Sequence, residues 1–94
     1  MRVLADTSAL LALTRPAAAS ALLAHLLDDP MHEWVEVSAE LVREAQARWL
    51  ARFVDQSFSL VDAASFECMR RERVIHAFAF DHHFEVAGFQ PFKL

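Results

Sequence analysis

An α/β fold built on a small parallel sheet, with helices on both faces, is what this sequence predicts. Three observations carry that expectation. Short apolar runs alternate with longer segments of helical periodicity, the pattern that crossover-connected strands require. Two of those runs, Val3-Leu4-Ala5 and Ala77-Phe78-Ala79-Phe80, lead straight into an aspartate, Asp6 and Asp81. A third aspartate, Asp62, follows Ser59-Leu60-Val61 at a helix start. Parallel sheets set their working groups at the carboxyl ends of strands and in the loops beyond. Carboxylates far apart in sequence are therefore expected to meet at one rim, where they would suit a hard divalent cation.

The elements follow in order. Val3 to Ala5 reads as a short buried strand, and Asp6-Thr7-Ser8 supplies caps for a short helix through Leu13. Arg15-Pro16 breaks that helix, and Pro16 suits the first turn of the next. Residues 17–27 place Ala18, Leu22, Leu23, Leu26 and Leu27 at helical spacing, stopped by Asp28-Asp29-Pro30. Trp34 to Val37 is a strand candidate. Ser38 then caps a helix over about 39–54, with the stripe Leu41, Val42, Ala45, Trp49 and Phe53 on its apolar side. Glu44, Arg48 and Arg52 run down another side at ion-pair spacing. Ser59 caps a helix to about Arg73, whose last turns carry arginines that the helix dipole favours. Val74 to Phe80 is a second strand, and Val86 to Phe92 adds an edge hairpin or strand around Gly88 and Pro91.

Ninety-four residues point to one domain, 1–94, and 55% apolar content supplies ample core. The mean hydropathy of +0.21 on so small a body leaves apolar surface exposed, which predicts a homodimer. The single Cys68 excludes an intramolecular disulfide and fits a reduced, cytoplasmic setting. No signal-peptide pattern or membrane-length apolar run is present in the sequence. A net charge of −4 disfavours a broad nucleic-acid surface, although Arg43, Arg48, Arg52, Arg70, Arg71 and Arg73 concentrate on two helices. The plain reading of those arginines is solvated helix faces.

Taken together, Val3-Leu4-Ala5-Asp6-Thr7-Ser8-Ala9-Leu10, then Phe58-Ser59-Leu60-Val61-Asp62-Ala63-Ala64-Ser65-Phe66, then Ala77-Phe78-Ala79-Phe80-Asp81-His82-His83-Phe84 with Ala87-Gly88-Phe89, resemble a PIN domain of the VapC toxin type. The stretch Glu44 to Gln56 resembles the helix that precedes the second motif. The resemblance implies a Mg²⁺- or Mn²⁺-dependent endoribonuclease cutting single-stranded RNA to 5′-phosphate and 3′-hydroxyl products. It implies Asp6, Asp62 and Asp81 as both catalytic and metal-binding residues, with RNA as substrate and an antitoxin protein as possible partner. The chain departs from the family in its middle, where a second strand and a helix bearing a metal-site glutamate look deleted. That departure gives the other reading, a catalytically impaired remnant that serves as a dimerisation or antitoxin-binding module.

Glu40 or Glu44 could replace the lost glutamate if strand 34–37 lay beside Val3–Ala5. Helical geometry argues otherwise, because Glu44 falls about 140° from the Trp49 stripe and should face water and Arg48. Each aspartate also has a plainer use: Asp6 and Asp62 as helix caps, Asp81 as a turn residue. His82-His83, with His25 and His76 isolated, lacks the partners of a zinc site. Cys68 has no nameable base, and the phenylalanines read as core packing rather than base-stacking surfaces.

Overall fold

The computed structural model of the protein describes residues 1–93. Three strands, β1 (Val3–Ala5), β2 (His76–Phe78) and β3 (Gln90–Pro91), form one parallel sheet in the order β1-β2-β3. Val3 pairs with His76, Leu4 with Ala77 and Ala5 with Phe78, while β3 sets Gln90 beside His76. Between β1 and β2 come α1 (Thr7–Leu11), α2 (Pro16–Asp28), α3 (Ala39–Ala45) and α4 (Leu60–Glu72). A short α5 (His83–Val86) joins β2 to β3. The parallel α/β architecture is as the sequence predicts.

The helix starts obey their caps. The Ser38 hydroxyl accepts from Leu41 N at 3.1 Å, and Ser59 accepts from Asp62 N at 3.0 Å while Asp62 accepts from Ser59 N at 3.1 Å. The second arrangement is a full capping box, which satisfies two otherwise orphaned donors. Both helices that feed the sheet end alike. At the end of α4, Arg73 takes a left-handed φ of 55°, with Val74 N bonded to Met69 O and Arg73 N to Arg70 O. At the end of α5, Gly88 takes φ 102°, with Phe89 N bonded to Phe84 O and Gly88 N to Glu85 O. These are Schellman turns, and Val74, Met69, Phe84 and Phe89 all belong to or pack against the one core cluster.

α3 does not run on as a regular helix. Residues Gln46–Leu50 form a π turn, with Ala51 N bonded to Gln46 O at 2.9 Å. Apolar positions spaced by four drift about 40° per step on a 3.6-residue helix, and one wide turn takes that drift back. Trp49 and Phe53 therefore both reach the core, their rings stacked at 5.7 Å and 17°. Phe66 on α4 is fully buried at the centre, edge-on to Trp49, Phe58 and Phe84 at 5.2, 5.0 and 4.9 Å. Truncating such a ring costs on the order of 3–5 kcal/mol. The aromatic set packs as expected, except that Phe80 is largely exposed.

One expectation is corrected. Residues 34–37 form no strand and lie exposed, because the apolar preference of Trp-Val-Glu-Val needs a neighbouring strand to act on and none pairs there. The neighbour of β1 is β2, and the other edge of β1 carries no strand among the described residues. Of the two forms expected for 86–92, the edge strand is the one found: α5 ends at Val86 and β3 pairs parallel to β2. α2 keeps its predicted extent but buries none of its residues fully.

Candidate functional site

Asp6 and Asp81 lie just beyond the carboxyl ends of β1 and β2, on one edge of the sheet. The backbone N–H of Asp6 continues the ladder by donating to Phe78 O at 2.8 Å. Asp62 reaches the same region from the first turn of α4. The aspartates do not all converge. Asp62, Asp81 and His83 each present a ligand atom within 4.8 Å of the others'. Asp6 stands outside that cluster, its Oδ1 accepting from Ser8 N at 2.9 Å as the cap of α1.

Local backbone geometry builds the cluster. Asp81 Oδ1 accepts from His83 N at 2.9 Å, an Asx turn that opens α5 and swings the His83 ring inward. His83 Nδ1–H donates to Asp62 Oδ2 at 2.9 Å and lies 3.7 Å from Asp81 Oδ1. The ring is held edge-on against buried Phe58 at 5.6 Å. The same oxygen, Asp62 Oδ2, also accepts from Ser59 N at 3.1 Å. The side chains of Asp62 and His83 are mostly covered, whereas that of Asp81 is 42% exposed and open to an incoming ligand.

This donor set fits a divalent cation. Asp62 and Asp81 each offer a carboxylate oxygen within 4.8 Å of the other's, a span that one hard cation with carboxylate ligands can draw together. His83 is the site residue that sequence reasoning passed over. The available signal was its place two positions after Asp81, where an Asx turn directs the residue back toward the aspartate.

The two candidate glutamates are engaged elsewhere. Glu40 binds Arg71 through both oxygens, at 2.6 and 2.8 Å, and that contact holds its carboxyl below the usual range. Glu44 faces Arg48 at 3.9 Å, as its helical position predicts. Arg71 is nine residues past Asp62 on α4, about 13 Å along the axis, so Glu40 sits at the wrong end of the helix for this cluster. A buried carboxylate lies on the same helix. Glu67 has no exposed surface and is bonded by Arg70 (2.7 and 3.1 Å), Arg71 (3.0 Å) and Trp49 Nε1 (3.3 Å). The Arg70 hydrogen bonds, joined by those of Arg71 and Trp49, outweigh desolvation and hold its carboxyl down to about 2. Burial pushes the Cys68 thiol above its ordinary value, in keeping with an inert cysteine.

A short parallel sheet with an acidic rim, one aspartate from a capped helix and one from a strand end, defines the class: an α/β fold of the PIN type. No family model matches the chain. Over 53 residues it is 43% identical to the 23S rRNA-specific endonuclease VapC20 of Mycobacterium tuberculosis, in both strain CDC 1551 and strain H37Rv. The crystal structure of M. tuberculosis VapC20, described as a sarcin-ricin loop cleaving toxin, superposes with a TM-score of 0.77 at 25% identity, covering 94% of this chain and 96% of that one. The aligned sequence is 56% of this chain but only 40% of the curated relative, which is the longer protein. The chain thus has the fold of VapC-type PIN domains and resembles them in sequence over just above half its length, in keeping with the shortened middle.

Proposed function

We propose that the chain is a single PIN-like domain and a metal-dependent endoribonuclease of the VapC toxin type, acting on phosphodiesters of single-stranded RNA. The observation that carries this reading is the meeting of Asp62 and Asp81 with His83 at the carboxyl edge of the sheet. Asp62 and Asp81 would hold Mg²⁺ or Mn²⁺, with Asp6 at the adjoining strand end as the further catalytic and metal-binding residue. The bound ion would neutralise charge on phosphate oxygens and acidify a water molecule. The protein's own part is positioning. Ser59 at the start of α4 orients Asp62, His83 braces it, and the Asx turn aims Asp81. Because the ligands are oxygen-rich, Mg²⁺ or Mn²⁺ suits them better than zinc, which favours closed nitrogen and sulfur sets.

The test is cleavage of single-stranded RNA in Mn²⁺ by the wild type beside Asp6→Asn, Asp62→Asn and Asp81→Asn. Metal-dependent cleavage lost in the variants is the expected result. Equal activity in all four proteins, or cleavage in EDTA, would refute it.

One observation favours the second reading, an impaired remnant that binds partners. Glu40 and Glu44, the two glutamates that could have replaced the missing one, are both occupied by arginines. The exposed apolar residues Leu13, Leu27, Trp34, Val35 and Val37, near a helix with no fully buried residue, support a homodimer or an antitoxin contact under either reading. No helix among the described residues is long and apolar enough to cross a membrane, and a single free thiol suits the reducing cytoplasm. Light scattering after size exclusion checks the dimer, and a monomer across the micromolar range would count against it.

A further inference from the structure

At the other end of α4 from the carboxylates lies a groove of about 400 Å³. Its rim is Arg48, Arg52, Arg70 and Arg73, its floor includes Phe53 and Phe89, and none of its lining residues is acidic. In a chain of net charge −4 this is a concentrated positive surface. The tertiary structure assembles it. The π turn brings Arg48 and Arg52 onto the side that faces α4. The Schellman turn then sets Arg73 at the rim in a left-handed conformation unusual for arginine. Buried Glu67 holds Arg70 by two hydrogen bonds and pairs with Arg48 at 3.3 Å, keeping both guanidinium groups at the edge of the groove. Arg52 and Arg73 have no ion pair among the described residues, so their charge remains available.

We propose that this arginine groove is an anchoring site for the phosphate backbone of RNA, separate from the cleavage centre. The inference rests on the ribonuclease reading above and extends it. The carboxylate rim, with Asp6, Asp62, Asp81 and Glu85, repels a polyanion, so attraction has to come from another surface. Arginine forks match phosphate oxygens, and half-buried phenylalanine rings beside them tolerate any base. Asp62 and Arg70 are eight residues apart on one helix, about 12 Å along its axis. A strand held in the groove therefore stays within a few nucleotides of the carboxylates.

The test is fluorescence anisotropy with a labelled, single-stranded oligoribonucleotide in EDTA, where binding is read without cleavage. The Arg52→Gln/Arg73→Gln variant is expected to bind about tenfold more weakly, with the slope of log K against log salt reduced by about 1.4, as two lost phosphate contacts on a single strand require. Arg15→Gln, on an exposed arginine outside the groove, is expected to bind as wild type. Arg52→Gln alone, at about half the slope change, keeps the test valid if the Arg73 turn proves sensitive. Unchanged affinity and slope in the double variant, an equal loss in Arg15→Gln, or no RNA binding by the wild type would each overturn the proposal. So would displacement from the groove by polyglutamate with no competition by RNA, which would mark an acidic-peptide surface instead. RNA binding through the groove without metal-dependent cleavage would sink the nuclease reading and leave the groove standing.

Discussion

Replacing Glu67 with glutamine removes a buried negative charge on which Arg48, Arg70 and Arg71 converge. The carboxyl titrates at about 2 rather than its ordinary 4.5. At 1.36 kcal/mol per pK unit, the ionised form contributes on the order of 3 kcal/mol at neutral pH. The depressed acid stabilises the fold fully above about pH 5, and that contribution is lost as pH falls toward 2. For a domain of this size each kcal/mol moves the melting temperature by about 4–8 °C, so Glu67→Gln should lower it by roughly 12–24 °C at pH 7. Circular-dichroism melts from pH 7 down to pH 2 read both quantities. The wild type should lose stability between pH 5 and pH 2, and the variant should show a flatter profile across that window. A variant within about 0.5 kcal/mol of wild type at pH 7, the level of an ordinary surface change, would refute the reasoning. An undiminished acid dependence in the variant would do the same.

Asp62→Asn and Asp81→Asn should each cut metal-dependent cleavage by at least about 100-fold and abolish the heat of Mn²⁺ binding. Asp62→Asn should cost only about 1 kcal/mol of stability through the weakened capping box, separating loss of function from unfolding. Gly88→Ala meets open space, since nothing lies within 4 Å of the added carbon. Its cost should therefore be backbone strain alone, about 1–2 kcal/mol at φ 102°, read by urea denaturation. Cys68, with its thiol pKa raised by burial, should alkylate at pH 8 more slowly than an unstructured peptide cysteine, and an equal rate would contradict its half-buried placement.

Much of this protein was legible along the chain. Ser38 and Ser59 announce their helices because capping is a local hydrogen bond between residues three apart. Val3–Ala5 and the core of the 74–80 run announce strands, and the aspartate after each lands at the sheet edge that parallel topology dictates. Local chemistry settled these features before any contact was made. The strand misread at 34–37 shows the limit. Its residues suit a sheet, but pairing depends on a partner elsewhere in the chain, and β1 found its partner in β2. The same holds within the site. Asp62 and His83 meet only because the starts of α4 and α5 pack together, while Asp6 turns to cap its own helix. Arg70 and Arg71 stand three and four residues after Glu67 on α4, which helical spacing encodes, but its burial and its meeting with Arg48 and Trp49 come only from the π turn closing against that helix. Local hydrogen bonding and periodicity are carried by neighbouring residues, whereas the pairing of distant charges is settled by how the elements pack.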